Sequence, residues 1–231
     1  MVVTLMLIDS STIVQLILSL SGSTVVSSRP AAHSSFRMLR MSTEYKNINA
    51  DTMYDVLHDP EYRKTWDKHM VESKDLGALN PNNDISYYAI RCPPPLRNRD
   101  FVLQRSWLQT QQEYFIINHS VFHKQCPRRK DYIRGVSHLT GFLITPMGKG
   151  CKLGKNIILS FIMIKRLEKA AENYRSWKQF NRPGFKPWLY PEQLENRISI
   201  QDCIRDEGDE VSTPEDESQL MEDDLQLQVQ D

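Results

Sequence analysis

The chain has 231 residues, 40% hydrophobic and 25% charged, with 29 Lys+Arg against 29 Asp+Glu. This excludes wholesale disorder, and the length allows one domain with extensions or at most two small ones. The zero net charge is unevenly spread. Residues 201–231 hold twelve acids against the single base Arg205, so the rest of the chain carries +11. Such a body is drawn to anionic surfaces, and such a tail competes for them.

In chain order, residues 2–20 are apolar-rich but are broken by Asp9-Ser10-Ser11-Thr12 and have no basic residue ahead of them. Neither a membrane span nor a secretory signal fits that pattern. Arg29, Arg37 and Arg40 in a Ser-rich, acid-free stretch match a transit peptide in part. Residues 1–40 are read instead as an unrelated, disordered leader. Met38–Ile48 is a weak strand candidate. Residues 51–59 place Met53, Val56 and Leu57 at helical spacing behind an Asp51 cap, Pro60 ends that helix, and 61–67 opens a second short one.

The texture then changes. Ile85–Arg91, Asp100–Gln109, Tyr114–Phe122 and Tyr132–Ile144 are rich in β-branched and aromatic residues and are separated by turn-like clusters. They predict an antiparallel meander. After Gly154 the period becomes helical: Met163, Leu167, Ala170, Tyr174 and Trp177 form one apolar stripe, with Ile157–Ile164 apolar all round. Pro183, Pro187 and Pro191 stop the helix, and residues 196–231 read as an acidic, disordered tail.

Motifs for catalysis are absent: the sequence has no Gly-x-Ser-x-Gly, Walker loop or His-Glu-x-x-His. His119 and His123 fall in a strand pattern, where residues four apart stand about 13 Å from each other, too far to share a metal. Cys92, Cys126, Cys151 and Cys203 form no Cys-x-x-Cys pair and read as reduced thiols of a cytosolic protein. The reading is therefore a non-enzyme with no cofactor and no metal. At Arg91–Leu103 a proline-forced turn delivers Arg99 and Asp100 to the start of a strand. Two readings of Arg99 stand open: an ion-paired edge residue, or an arginine turned into an apolar concavity to hold a phosphate or carboxylate.

Four stretches, in order, carry a resemblance: Tyr62-Arg63-Lys64-Thr65-Trp66-Asp67, then Ile85–Ile90, then Arg91–Phe101, then Arg128–Ser137. With the closing Trp177–Gln193 they resemble the StAR-related lipid-transfer (START) domain family over residues 41–195. The resemblance implies an α+β helix-grip fold, a curved antiparallel sheet closed around one lipid cavity by a long C-terminal helix. It also implies binding and intermembrane transfer of phospholipids such as phosphatidylcholine and phosphatidylethanolamine. Arg99 would be the phosphate contact, and Leu103 and Trp107 share its strand parity and would line the cavity with it. Alignment to the family puts Phe115 and His138 at positions used by some members for a choline cage.

Two departures from the family stand out. The family domain begins with a helix and two strands ahead of the position of Met41, and it has a closing strand and a loop between the positions of Gly154 and Lys155. The expectation is a partial or alternatively spliced domain, open at the Tyr132–Ile144 edge. An incomplete cavity leaves a rival reading, a lipid-free scaffold. The expected partners are a phospholipid and, transiently, a membrane surface, with no nucleic acid and a cytoplasmic location. For docking, Ile158, Phe161 and Ile162 would meet acyl chains and Lys165 and Arg166 head groups, unless these apolar residues only pack on the sheet. Ser212 and Thr213, each with an acid three residues on, match acidophilic-kinase sites or are incidental to a solvated charge run.

Overall fold

The computed structural model describes residues 5–8, 15–20, 24–30, 37–92, 96–156 and 161–205. Three strands, β1 (Leu5–Ile8), β2 (Gln15–Leu20) and β3 (Thr24–Pro30), lead into β4 (Arg37–Tyr45). Helices α1 (Ala50–His58) and α2 (Pro60–Trp66) follow. Then come β5 (Met70–Asn80), β6 (Asn83–Ile90), β7 (Arg99–Gln109), β8 (Tyr114–Ser120), the short β9 (Ile133–Arg134), β10 (Thr140–Met147) and β11 (Gly150–Asn156). Helix α3 (Phe161–Lys178) comes last. The strands join in the order β1-β2-β3-β4-β11-β10-β8-β7-β6-β5, with β9 alongside β7. All neighbours are antiparallel except β7 and β9.

The helix-grip α+β architecture is present, but three expectations about its extent need correcting. The described residues before 41 belong to the sheet rather than to an unstructured leader: β3 pairs with β4 through Val25↔Ser42 and Val26↔Met41, and Thr24 and Thr43 share a hydroxyl hydrogen bond of 3.1 Å. The sheet also has its closing strand. β11 lies between β10 and β4, so β10 is paired on both sides and is no open edge. The acidic tail begins later than 196. Arg197 forms a parallel bridge to Ala78, and a capped 3-10 turn spans Ile200–Cys203. Within the sheet, Tyr132–Ile144 is two elements, β9 and β10, and β5 is a strand that hydrophobic patterning did not reveal.

Local chemistry explains the two short helices. Asn49, rather than Asp51, caps α1, its Oδ1 accepting from Thr52 N at 2.9 Å. Asp59 ends α1 and caps α2, accepting from the Glu61 and Tyr62 amides, with Pro60 at the first helical position. Asp51, Asp55 and Asp59 recur every four residues and so lie on one side of the chain. Tyr114 Oη donates to Asp51 at 2.7 Å, Trp188 Nε1 to Asp55 at 2.8 Å and Lys178 Nζ to Asp59 at 2.8 Å. One carboxylate row thereby ties α1 to the sheet, to α3 and to the segment after it.

Strand alternation divides the apolar residues into two layers. Tyr45, Trp107, Tyr114, Ile116, Ile144, Cys151 and Leu153 face α1, α2 and α3, where Met53, Tyr54, Val56, Leu167, Ala170 and Tyr174 are buried against them. The predicted stripe of α3 is the buried one at Leu167, Ala170 and Tyr174, with Trp177 partly buried. On the other side Ile85, Tyr87, Ala89 and Val102 form a smaller layer with Cys126, Val121, Tyr132 and Ile198. Gly77 sits at a bulge of β5 with φ +136°, and a Cβ there would stand 2.9 Å from Ile198. Only glycine lets the C-terminal segment pack so closely there.

Candidate functional site

The face of the sheet that carries Trp107 is the one the helices grip, and cross-strand register assigns its other residues. On β7 these are Arg99, Phe101, Leu103 and Arg105, opposite Ile90, Tyr88, Ser86 and Asp84 of β6. On β11 they are Cys151, Leu153 and Lys155, with Lys155 paired to Phe142 and Met41.

Arg99 stands at the start of this face and is only 7% exposed. Its Nη1 donates to Cys92 Sγ at 3.0 Å, while Nη2 is buried with no partner among the described residues. A buried guanidinium N–H without an acceptor costs roughly 1–3 kcal/mol, more because it is charged. Asp100, the next residue, points the other way. It is 0% exposed and takes Arg134 as a bidentate partner, both contacts 2.9 Å. Arg134 also donates to the carbonyls of Cys126 and Pro127. The two readings of the motif thus divide between neighbours, with Asp100 the ion-paired residue and Arg99 the one turned to the gripped face.

Leu103 shares that face and is half-buried between Ser86 and Ser120. Trp107 shares it too, but is covered: its Nε1 donates to Trp188 O at 3.2 Å and its ring meets His58 edge-on at 5.3 Å. It packs as core. Phe115 lies on the opposite face, paired with Leu108 and Leu143, and His138 is exposed between β9 and β10. Neither joins Arg99. Phe161, Ile162 and Lys165 belong to α3, whose side chains are described from Arg166 onward; Arg166 is half-buried. Ile158, Ser212 and Thr213 lie outside the described residues.

Several polar groups on the gripped face escaped the sequence reading. Arg105 makes a bidentate pair with Asp84 and donates to His58 O at 3.1 Å. Asp67 accepts from Tyr88 Oη at 2.7 Å and from Arg63 Nε at 3.1 Å. Burial alone would raise the Asp67 carboxyl, but Arg63 and Tyr88 outweigh it and hold it below the usual range. Lys155 is 5% exposed, its Nζ 4.9 Å from the Phe142 ring centre. Burial, reinforced by Arg63, lowers its pKa to about 7. Its alternation with Leu153 and Cys151 was the available signal, hidden because Gly154-Lys155 read as a junction.

With this geometry in view, comparisons with known proteins point one way. The START domain family model matches residues 14–157. START domain-containing protein 10 of mouse is 42% identical over 174 residues, covering 67% of this chain and 60% of that protein. Its human counterpart matches to the same extent. The chain thus spans about 60% of the length of these curated relatives. Mouse phosphatidylcholine transfer protein is 27% identical over 99 residues, 41% of this chain and 45% of that protein. Among solved structures, human STARD10 superposes with a TM-score of 0.75 at 33% identity, covering 85% of this chain and 89% of that one. Human StAR-related lipid transfer protein 5, at 15% identity and TM-score 0.62 over 72% of this chain and 89% of that one, shares the fold.

Proposed function

Since the chain belongs to the START domain family, we propose that it is a non-enzymatic carrier that takes one phospholipid onto the gripped face of its sheet and moves it between membranes. The observation that carries this reading is Arg99, buried on that face with Nη2 unsatisfied. A lipid phosphate is the acceptor such a group calls for, and a charge-assisted bond there outweighs a neutral one about twofold. Leu103, on the same face and half-buried, would flank the chains. A two-chain lipid exposes ~30 methylenes at about 0.8 kcal/mol each, roughly 24 kcal/mol. Binding therefore needs an enclosing apolar wall and few polar contacts, which suits a chain without catalytic motifs. Burial also pushes the Cys151 thiol up to about 12 and raises that of Cys126, so neither is an activated nucleophile.

Phosphatidylcholine and phosphatidylethanolamine are the proposed cargo. The name of the phosphatidylcholine transfer protein, a relative of this chain, supports the first of these. The site of action is the cytoplasm, with transient association at membranes. The alternative, a lipid-free scaffold, rests on an incomplete cavity; the pairing of both β3 and β11 with β4 supports the carrier reading against it. Arg99→Met is the test, read by native mass spectrometry and by vesicle-to-vesicle transfer of phosphatidylcholine. Loss of the charged partner should weaken loading by ~1.5–3 kcal/mol, about ten- to a hundredfold. Unchanged transfer, or wild-type protein that never carries phospholipid, would overturn the proposal.

A further inference from the structure

Around the Arg99 end of the sheet, three connections meet. Arg91 N bonds His69 O at 2.8 Å, joining the β6–β7 connection to the one after α2. Arg97 Nη2 donates to Lys130 O at 2.8 Å, and Ile133 N to Asn98 O at 2.9 Å, joining both to the segment before β9. This junction exposes Lys68, Arg91, Arg97, Arg128 and Lys130.

The acids nearby are mostly committed elsewhere. Asp67 is held by Arg63 and Tyr88, Asp100 by Arg134, and Glu72 by Arg129 at 2.6 Å. Asp131 alone is left exposed beside five cations, none of which has an ion-pair partner among the described residues. On the α1–α3 side, Lys178 is paired with Asp59, Lys186 with Asp55 and Arg105 with Asp84. An unneutralised patch of positive charge is costly to keep unless something anionic uses it.

We infer that this rim docks the protein on the surface of an anionic phospholipid bilayer, with the buried Arg99 directly behind it. The inference rests on the lipid-carrier reading, since it names the membrane side of that same site. A bilayer is favoured as occupant because the rim lies at the end of the face that carries Arg99, the proposed head-group contact. The charge runs across three separate connections as a patch, which suits a plane of phosphates. Juxtaposed cations each strengthen binding to an anionic surface about fivefold, and the effect is screened by salt.

The test is co-sedimentation of the full chain with vesicles of phosphatidylcholine alone or with added phosphatidylserine, across a range of sodium chloride. Binding should require phosphatidylserine and fall steeply with salt. Arg97→Glu combined with Lys130→Glu should weaken it by about 25-fold or more. Lys46→Glu with Lys149→Glu, an equal change on exposed residues at the opposite end of the sheet, should leave it intact. Matching thermal melts keep a folding defect from imitating the result. Equal losses from both pairs, or binding indifferent to salt, overturn the inference. No binding to the phosphatidylserine vesicles also overturns it. Phospholipid content measured on the same samples separates the two proposals. A rim variant that keeps its lipid but loses vesicles supports docking, and a vesicle-binding protein without lipid rejects only the carrier.

Discussion

Asp100→Ala is expected to destabilise the protein by about 3–5 kcal/mol, the cost of leaving a buried guanidinium without its carboxylate. Arg134 would keep the Cys126 and Pro127 carbonyls but lose both charged contacts to a residue that is 0% exposed. The segment from 121 to 134 covers the smaller apolar layer through Val121, Cys126 and Tyr132, so loosening it also uncovers Ile85 and Val102. Urea denaturation should show a lower midpoint. Arg99→Met, one residue away, should hold or raise that midpoint, because it removes a buried donor with no acceptor. Stability and lipid loading would thus part company at adjacent positions. A stable Asp100→Ala would mean the bidentate pair contributes little, and equal destabilisation by both would mean that Arg99 is structural.

That separation was half legible in the sequence. The stretch from Arg91 to Leu103 announced a turn delivering two charges to a strand, but not which of them faces inward. Alternation in β8 and the 3.6 period of α3 were readable because each buries mainly one face, and β6 and β7 were readable from their β-branched and aromatic residues. β5 was not, since register shifts at Met70/Glu72, Asp75/Gly77 and Ala78/Asn80 break the period of two. β11 was hidden by its glycines and lysines, which are poor strand formers, and it holds its place through pairing on both sides. Phe115 shows how sharply register matters. One residue along β8 separates it from Ile116 in the gripped core, and that single step puts it on the opposite face.

Lys155 carries the second large effect, and here the sign depends on pH. Its ordinary pKa of 10.5 falls to about 7 in the folded chain, chiefly because burial disfavours the ammonium. Between these two values the unfolded chain holds a proton that the folded chain has released, so folding becomes more favourable as pH rises. Below about 7 both states are protonated and the penalty is full and constant. Lys155→Met removes the titrating group while keeping a long, flexible side chain against Phe142 and Met41, its register partners. The variant should therefore be more stable than the parent at pH 7, by on the order of 4 kcal/mol. The gap should close by about 1.4 kcal/mol for each pH unit toward 10. Comparing the two proteins at each pH cancels the titrations they share. A gap that stays flat from pH 7 to 9 would mean the amine remains charged in the fold, so that the gripped face holds a cation at Lys155 as well as at Arg99. A gap that closes marks Lys155 as a neutral amine there, leaving Arg99 and the ion-paired Arg63 and Arg105 as the cations of that wall.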